Sequence, residues 1–157
     1  MQHREAHPGA QILLDNGADI NFQSKLGGWT PLIRSINNKH FDVARMLIER
    51  GADVNAKTIH GNNAVWFAVM RKSPEILVKL LAAGAHVNDS EGAQSSALGI
   101  ATGVDSFECA QILVRHGADF ERTDKNGITD AMILFAKGQH DKRWLELMPL
   151  MFETELY

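Results

Sequence analysis

Gly51-Ala52-Asp53-Val54-Asn55 decides how this chain is read, because the chain writes it four times. The other copies are Gly17-Ala18-Asp19-Ile20-Asn21, Gly84-Ala85-His86-Val87-Asn88 and Gly117-Ala118-Asp119-Phe120-Glu121. The glycines are separated by 51 − 17 = 34, 84 − 51 = 33 and 117 − 84 = 33 residues. A fixed period of this length marks a stack of similar units, and it outranks any local reading. An apolar segment precedes each copy: Ile12-Leu13-Leu14, Met46-Leu47-Ile48, Leu77-Val78-Lys79-Leu80-Leu81 and Ile112-Leu113-Val114. Each reads as a helix stopped by a glycine that takes the left-handed conformation favoured at helix ends. The residues that follow swing out as a turn.

Upstream of these helices a second motif repeats. Trp29-Thr30-Pro31-Leu32-Ile33-Arg34-Ser35 places a capping threonine before a proline suited to a first helical turn. Asn62-Asn63-Ala64-Val65-Trp66-Phe67-Ala68 and Ser95-Ser96-Ala97-Leu98-Gly99-Ile100-Ala101 keep the register without Thr-Pro, and Ile128-Thr129-Asp130-Ala131 keeps the threonine. Together these motifs resemble the ankyrin repeat over nearly the whole chain. The resemblance implies an all-α solenoid of helix-turn-helix units with protruding hairpin turns. The expected organisation is one domain over 1–157, with a half repeat at 1–24, repeats at 25–57, 58–90 and 91–123, and a capping repeat at 124–157.

Within that frame the spacing predicts an inner helix near 30–38 and an outer one near 41–50. The segment Ala64–Met70 is apolar nearly all round, which predicts burial on more than one side. Ala97, Gly99, Ala101 and Gly103 should make the weakest inner helix, since helical glycine costs about 1 kcal/mol against alanine. Trp144, Leu145, Leu147 and Met148 suggest a last helix that Pro149 breaks or kinks.

Composition removes several function classes. The 157 residues carry a net charge of −3 with 45% hydrophobic residues, ordinary for a globular domain and without the basic stripe that nucleic acid requires. No apolar run approaches the ~20 residues that span a bilayer, so no membrane insertion is expected. Cys109 is the single cysteine, which fits a reducing compartment, cytoplasmic or nuclear.

No catalytic, cofactor or metal constellation survives its spacing. His3 and His7 stand at a helical interval in an N-terminal tail, where at most an adventitious metal contact is expected. Cys109 and His116 lie seven residues apart in one expected helix, about 10.5 Å of rise, far beyond thiol–imidazole reach. Cys109 reads as a small buried hydrophobe. Asp19, Asp53 and Asp119 read as turn formers bonding nearby backbone N–H groups. Asn21, Asn55 and Asn88 sit where the family's hairpins need a bonded amide.

The function implied by the resemblance is non-catalytic protein binding, without cofactor, through hairpin tips and the exposed side of the inner helices. On this sequence the tips are Lys25, Leu26 and Trp29, then Ile59, His60 and Asn62, then Lys125, Asn126 and Ile128. The inner-helix ends are Asn37 and Asn38, Met70 and Arg71, and Ala136 and Lys137. Trp66 replaces the family's usual histidine and is either packed or exposed in the groove. Two alternatives remain: a regulatory or targeting domain of a larger enzyme or bacterial effector, and self-association through residues 1–20, where Ile12, Leu13 and Leu14 lack a partner helix in their own repeat.

Overall fold

The computed structural model describes residues 8–89, 95–124 and 126–153. Its helices are α1 (Pro8–Asp15), α2 (Pro31–Asn37), α3 (Phe41–Glu49), α4 (Ala64–Met70), α5 (Pro74–Ala82), α6 (Ala97–Gly103), α7 (Phe107–Arg115), α8 (Asp130–Gly138), a 3-10 helix (Lys142–Glu146) and α9 (Leu147–Glu153). The described residues form no strands beyond two isolated antiparallel bridges, Lys57 with Asn63 and Thr123 with Thr129, at the bases of hairpins. The fold is an all-α repeat solenoid.

The helices form two rows. α2, α4, α6 and α8 touch in succession along one row, and α3, α5, α7 and α9 along the other. Each inner helix also packs on the outer helix that follows it, so apolar residues fill the space between rows. Leu32, Ile36, Leu47, Val69, Leu77, Leu80, Leu98 and Leu113 are buried there. In α4, five of the seven residues are buried: Ala64, Val65, Phe67, Ala68 and Val69. Its all-round apolarity therefore reflects contacts with α2, α6 and α5 at once.

The same local chemistry returns at each step. Thr30, Asn63, Ser96 and Thr129 each accept a hydrogen bond from the N–H three residues on, capping α2, α4, α6 and α8. At the other end of an outer helix, Gly51 takes φ +81°. Its N–H donates to the Ile48 carbonyl at 3.0 Å and the Ala52 N–H to that of Leu47 at 2.9 Å, closing α3.

Aspartate and asparagine then fix the hairpins. Asp19, Asp53 and Asp119 accept the N–H two residues on, each at 2.9 Å. The Asn55 Oδ1 accepts the His86 N–H at 2.9 Å and its Nδ2 donates to the Gly84 carbonyl at 3.2 Å. Asn88 repeats this toward Asp119 (2.7 Å) and Gly117 (2.9 Å), and Asn21 accepts the Asp53 N–H at 2.8 Å. These amides are thus cross-links between neighbouring turns.

At the C-terminal end one expectation needs correction. Pro149 does not break a helix that begins at Trp144. The chain runs as a 3-10 turn through Lys142–Glu146 and changes to α-helix at Leu147. Pro149 then falls in the first turn of α9, where its missing N–H has no intrahelical partner to lose. Trp144, wholly buried, anchors this end against Phe107 at 5.6 Å between ring centres.

Candidate protein-binding face

The hairpins and the N-termini of the inner helices meet along one edge of the stack. Leu26 is 89% exposed and Ile59 70% exposed, and they stand 33 residues apart at matching places in successive hairpins. The Ile59 N–H donates to the Gly27 carbonyl at 3.1 Å, and Gln23 Nε2 reaches the Lys57 carbonyl at 3.0 Å, tying one hairpin to the next. Ile128 and Asn126 are exposed on the last hairpin, whereas Lys125 lies outside the described residues. Lys25 and His60 are exposed beside Leu26 and Ile59, and Asn62 is half-buried.

Behind these tips lies a compact aromatic–cationic cluster. Trp29 packs against Phe67 with ring centres 5.2 Å apart, and the exposed Arg34 guanidinium lies 4.4 Å above the Trp29 ring. Trp66 meets Phe67 edge-on at 5.0 Å. The paired glycines make room for this arrangement. A Cβ on Gly27 would stand 2.6 Å from Trp29 Nε1, and both Gly27 and Gly28 have positive φ. Trp29 is therefore half-buried and serves both packing and surface.

At the opposite ends of the inner helices the side chains are already engaged. Arg71 donates to Asn37 Oδ1 at 2.6 Å, and both are partly buried. Lys137 donates to the Thr102 carbonyl at 2.6 Å and pairs with Asp105 at 3.0 Å. Asn38 and Ala136 are exposed and Met70 is half-buried. The structure thus brings Leu26, Trp29 and Ile59 to one surface with Arg34 and Phe67, and sets Asn37, Asn38, Met70 and Arg71 at the far ends of α2 and α4. Arg34 and Phe67 were missed in the sequence because attention fell on tips and helix ends. Their signal was the shared register, one residue after the Ile33 and Trp66 positions.

Two buried groups have shifted acid–base behaviour. Burial pushes the Cys109 thiol up, against a hydrogen bond with Ser106. Burial also raises the Asp130 carboxyl, opposed by a hydrogen bond from the Ser96 hydroxyl and by the Arg122 charge. Neither adjoins a nucleophile or base, and no three His, Cys, Asp or Glu among the described residues are grouped to hold a metal. No helix among them is long and apolar enough to cross a membrane.

Residues 2–58 match the family model for ankyrin repeats in three copies. Human ankyrin repeat and SOCS box protein 6 is 33% identical over 141 residues, covering 83% of this chain and 33% of that protein. Rat ankyrin repeat and SAM domain-containing protein 6 is 31% identical over 91 residues, 57% of this chain and 10% of its own length. Ankyrin repeat and KH domain-containing protein mask-1 of Caenorhabditis elegans is 29% identical over 130 residues, covering 82% of this chain and 5% of that protein. The chain thus spans about a third of the human relative and smaller shares of the other two. With its two helix rows, recurrent caps and cross-linked turns, the chain belongs to the ankyrin-repeat family.

Proposed function

We propose that this chain is a non-catalytic module, an adaptor, inhibitor or scaffold, that holds a partner protein with its hairpin tips and inner-helix face. Ankyrin repeats are in general protein–protein interaction modules, which gives the class. The observation that carries the surface is the pair of exposed aliphatic tips, Leu26 and Ile59, in front of Trp29, Arg34 and Phe67. Aromatic and arginine side chains dominate interface energies, and rigid repeated turns present them without an ordering cost at binding. The remaining candidates, Lys25, His60, Asn62, Trp66, Asn126 and Ile128 among them, would form the polar and apolar surround. Its organisation is the half repeat 1–24, repeats 25–57, 58–90 and 91–123 and cap 124–157, and its place is the cytoplasm or nucleus.

The test is a Leu26→Glu, Ile59→Glu double variant. Both side chains project into solvent, so melting should stay within about 0.5 kcal/mol of the parent. Affinity capture from the source cells followed by titration with the purified partner should show binding weakened at least about 30-fold. Equal affinity for the same partner would remove the tips from the reading.

A second reading keeps the same surface inside a larger protein, since the relatives extend well beyond the matched segment. A further contact of residues 1–20 with another molecule is favoured by Ile12 and Leu13, each more than half exposed on α1, while Leu14 packs on the core.

A further inference from the structure

Along the inner row, each helix covers the one before it, and α8 is left with that side open. The residue at one register position is 0% exposed as Ile36, 0% as Val69 and 2% as Thr102, yet Phe135 at the same position is 55% exposed. Met132 is 58% exposed, whereas Ile33, 99 residues earlier, is 1%. Ile128 joins them, so one face of α8 presents Ile128, Met132 and Phe135 at helical spacing.

We propose that this face is a two-fold interface with α8 of a second copy of the chain. Three features select that occupant. The face is uncharged, because the two charged side chains of α8 both turn to the α6 side. Asp130 accepts a hydrogen bond from the Ser96 hydroxyl, and Lys137 is held by Thr102 and Asp105. Two copies therefore meet without opposing like charges. The large side chains are also disposed about Met132, with Ile128 on one side and Phe135 on the other. Antiparallel pairing sets Met132 against its counterpart and brings each Phe135 toward the other copy's Ile128 end. Finally, a two-fold contact closes on itself, whereas head-to-tail stacking of repeat ends would grow without limit. A patch this small supports only a weak dimer, with a dissociation constant of about 100 µM.

Sedimentation equilibrium of the 157-residue chain from about 10 µM to about 1 mM tests this range. The weight-average mass should climb from monomer toward dimer and stop there. Phe135→Glu and Met132→Glu should each weaken association at least about tenfold with unchanged circular dichroism, since a buried carboxylate pair is strongly disfavoured. Ile12→Glu should associate like the parent. A mass that stays monomeric throughout overturns the proposal and leaves the face to a helix from elsewhere. Growth past the dimer, or association lost in Ile12→Glu but kept in Phe135→Glu, also overturns it.

Discussion

Lys39, Lys72 and Asp105 stand 33 residues apart at the turns between inner and outer helices, with φ of 61°, 53° and 59°. Left-handed backbone costs an L-residue about 1–2 kcal/mol, and a glycine there returns part of that to chain entropy. Lys72→Gly should therefore raise stability by a net ~0.5–1 kcal/mol, read as a midpoint shift in urea. Asp105→Gly should gain less, because it gives up the ion pair with Lys137. An unchanged or lower midpoint for Lys72→Gly would mean that its turn carries no strain. At this scale the sequence was legible where one residue has one purpose. Gly17, Gly51, Gly84 and Gly117 announced their left-handed turns. Thr30 was recognised as a cap, but Asn63, Ser96 and Thr129 were not given the same role, because the Thr-Pro pair drew attention from the side-chain oxygen that makes the bond.

Between elements, the contact of α6 with α8 depends on Asp130, buried at the start of α8 and bonded by the Ser96 hydroxyl that also caps α6. A helix N-terminus favours negative charge, yet the carboxyl is raised, so desolvation wins. The sign follows from proton binding. The folded chain holds a proton on Asp130 at pH values where the unfolded chain has released it, so this residue's contribution worsens as pH rises through that window. Above the raised value the full penalty remains. Asp130→Asn should thus melt higher than the parent at neutral pH, with the advantage shrinking as pH falls through the Asp130 titration. A gap independent of pH between about 4 and 8 would show that Asp130 titrates normally. Nothing in the sequence marked this site, because the burial of Asp130 comes from α6, 33 residues upstream. Helix positions were legible for the opposite reason: caps and stop glycines act within a few residues, so α2 and α3 fell within about one residue of expectation. Arg34 and Phe67 escaped notice as site residues because their meeting with Trp29 crosses from one unit to the next.

For the whole molecule, stability is a sum over units and the junctions between neighbours. α6 carries Gly99 and Gly103 within seven residues. A Cβ on Gly103 meets nothing within 4 Å, so Gly103→Ala should add about 0.5–1 kcal/mol of helix propensity and raise the melting temperature by ~2–4 °C. Gly99→Ala should instead lower it, since its Cβ would stand 2.9 Å from Asp130 Oδ1 and 3.2 Å from Ser96 Oγ. Differential scanning calorimetry distinguishes them, and equal shifts for the two would show that α6 does not limit the stack. The architecture at this scale was the most legible feature, because a 33-residue period survives the loss of any one motif. The ends were the least legible, where Pro149 and the last helices depart from the repeat.

The ladder of Asn21, Asn55 and Asn88 has a mechanical consequence. Each rung joins only adjacent turns, so a load applied to the two ends passes through every junction in series. Such a chain yields at its softest joint and extends in steps of one unit, as a spring of discrete coils does. With α6 carrying its two glycines between α4 and α8, that joint lies inside the stack. A partner clasped across the hairpins of α2 and α4 would keep its grip while the coils beyond α6 lengthen and recoil under tension.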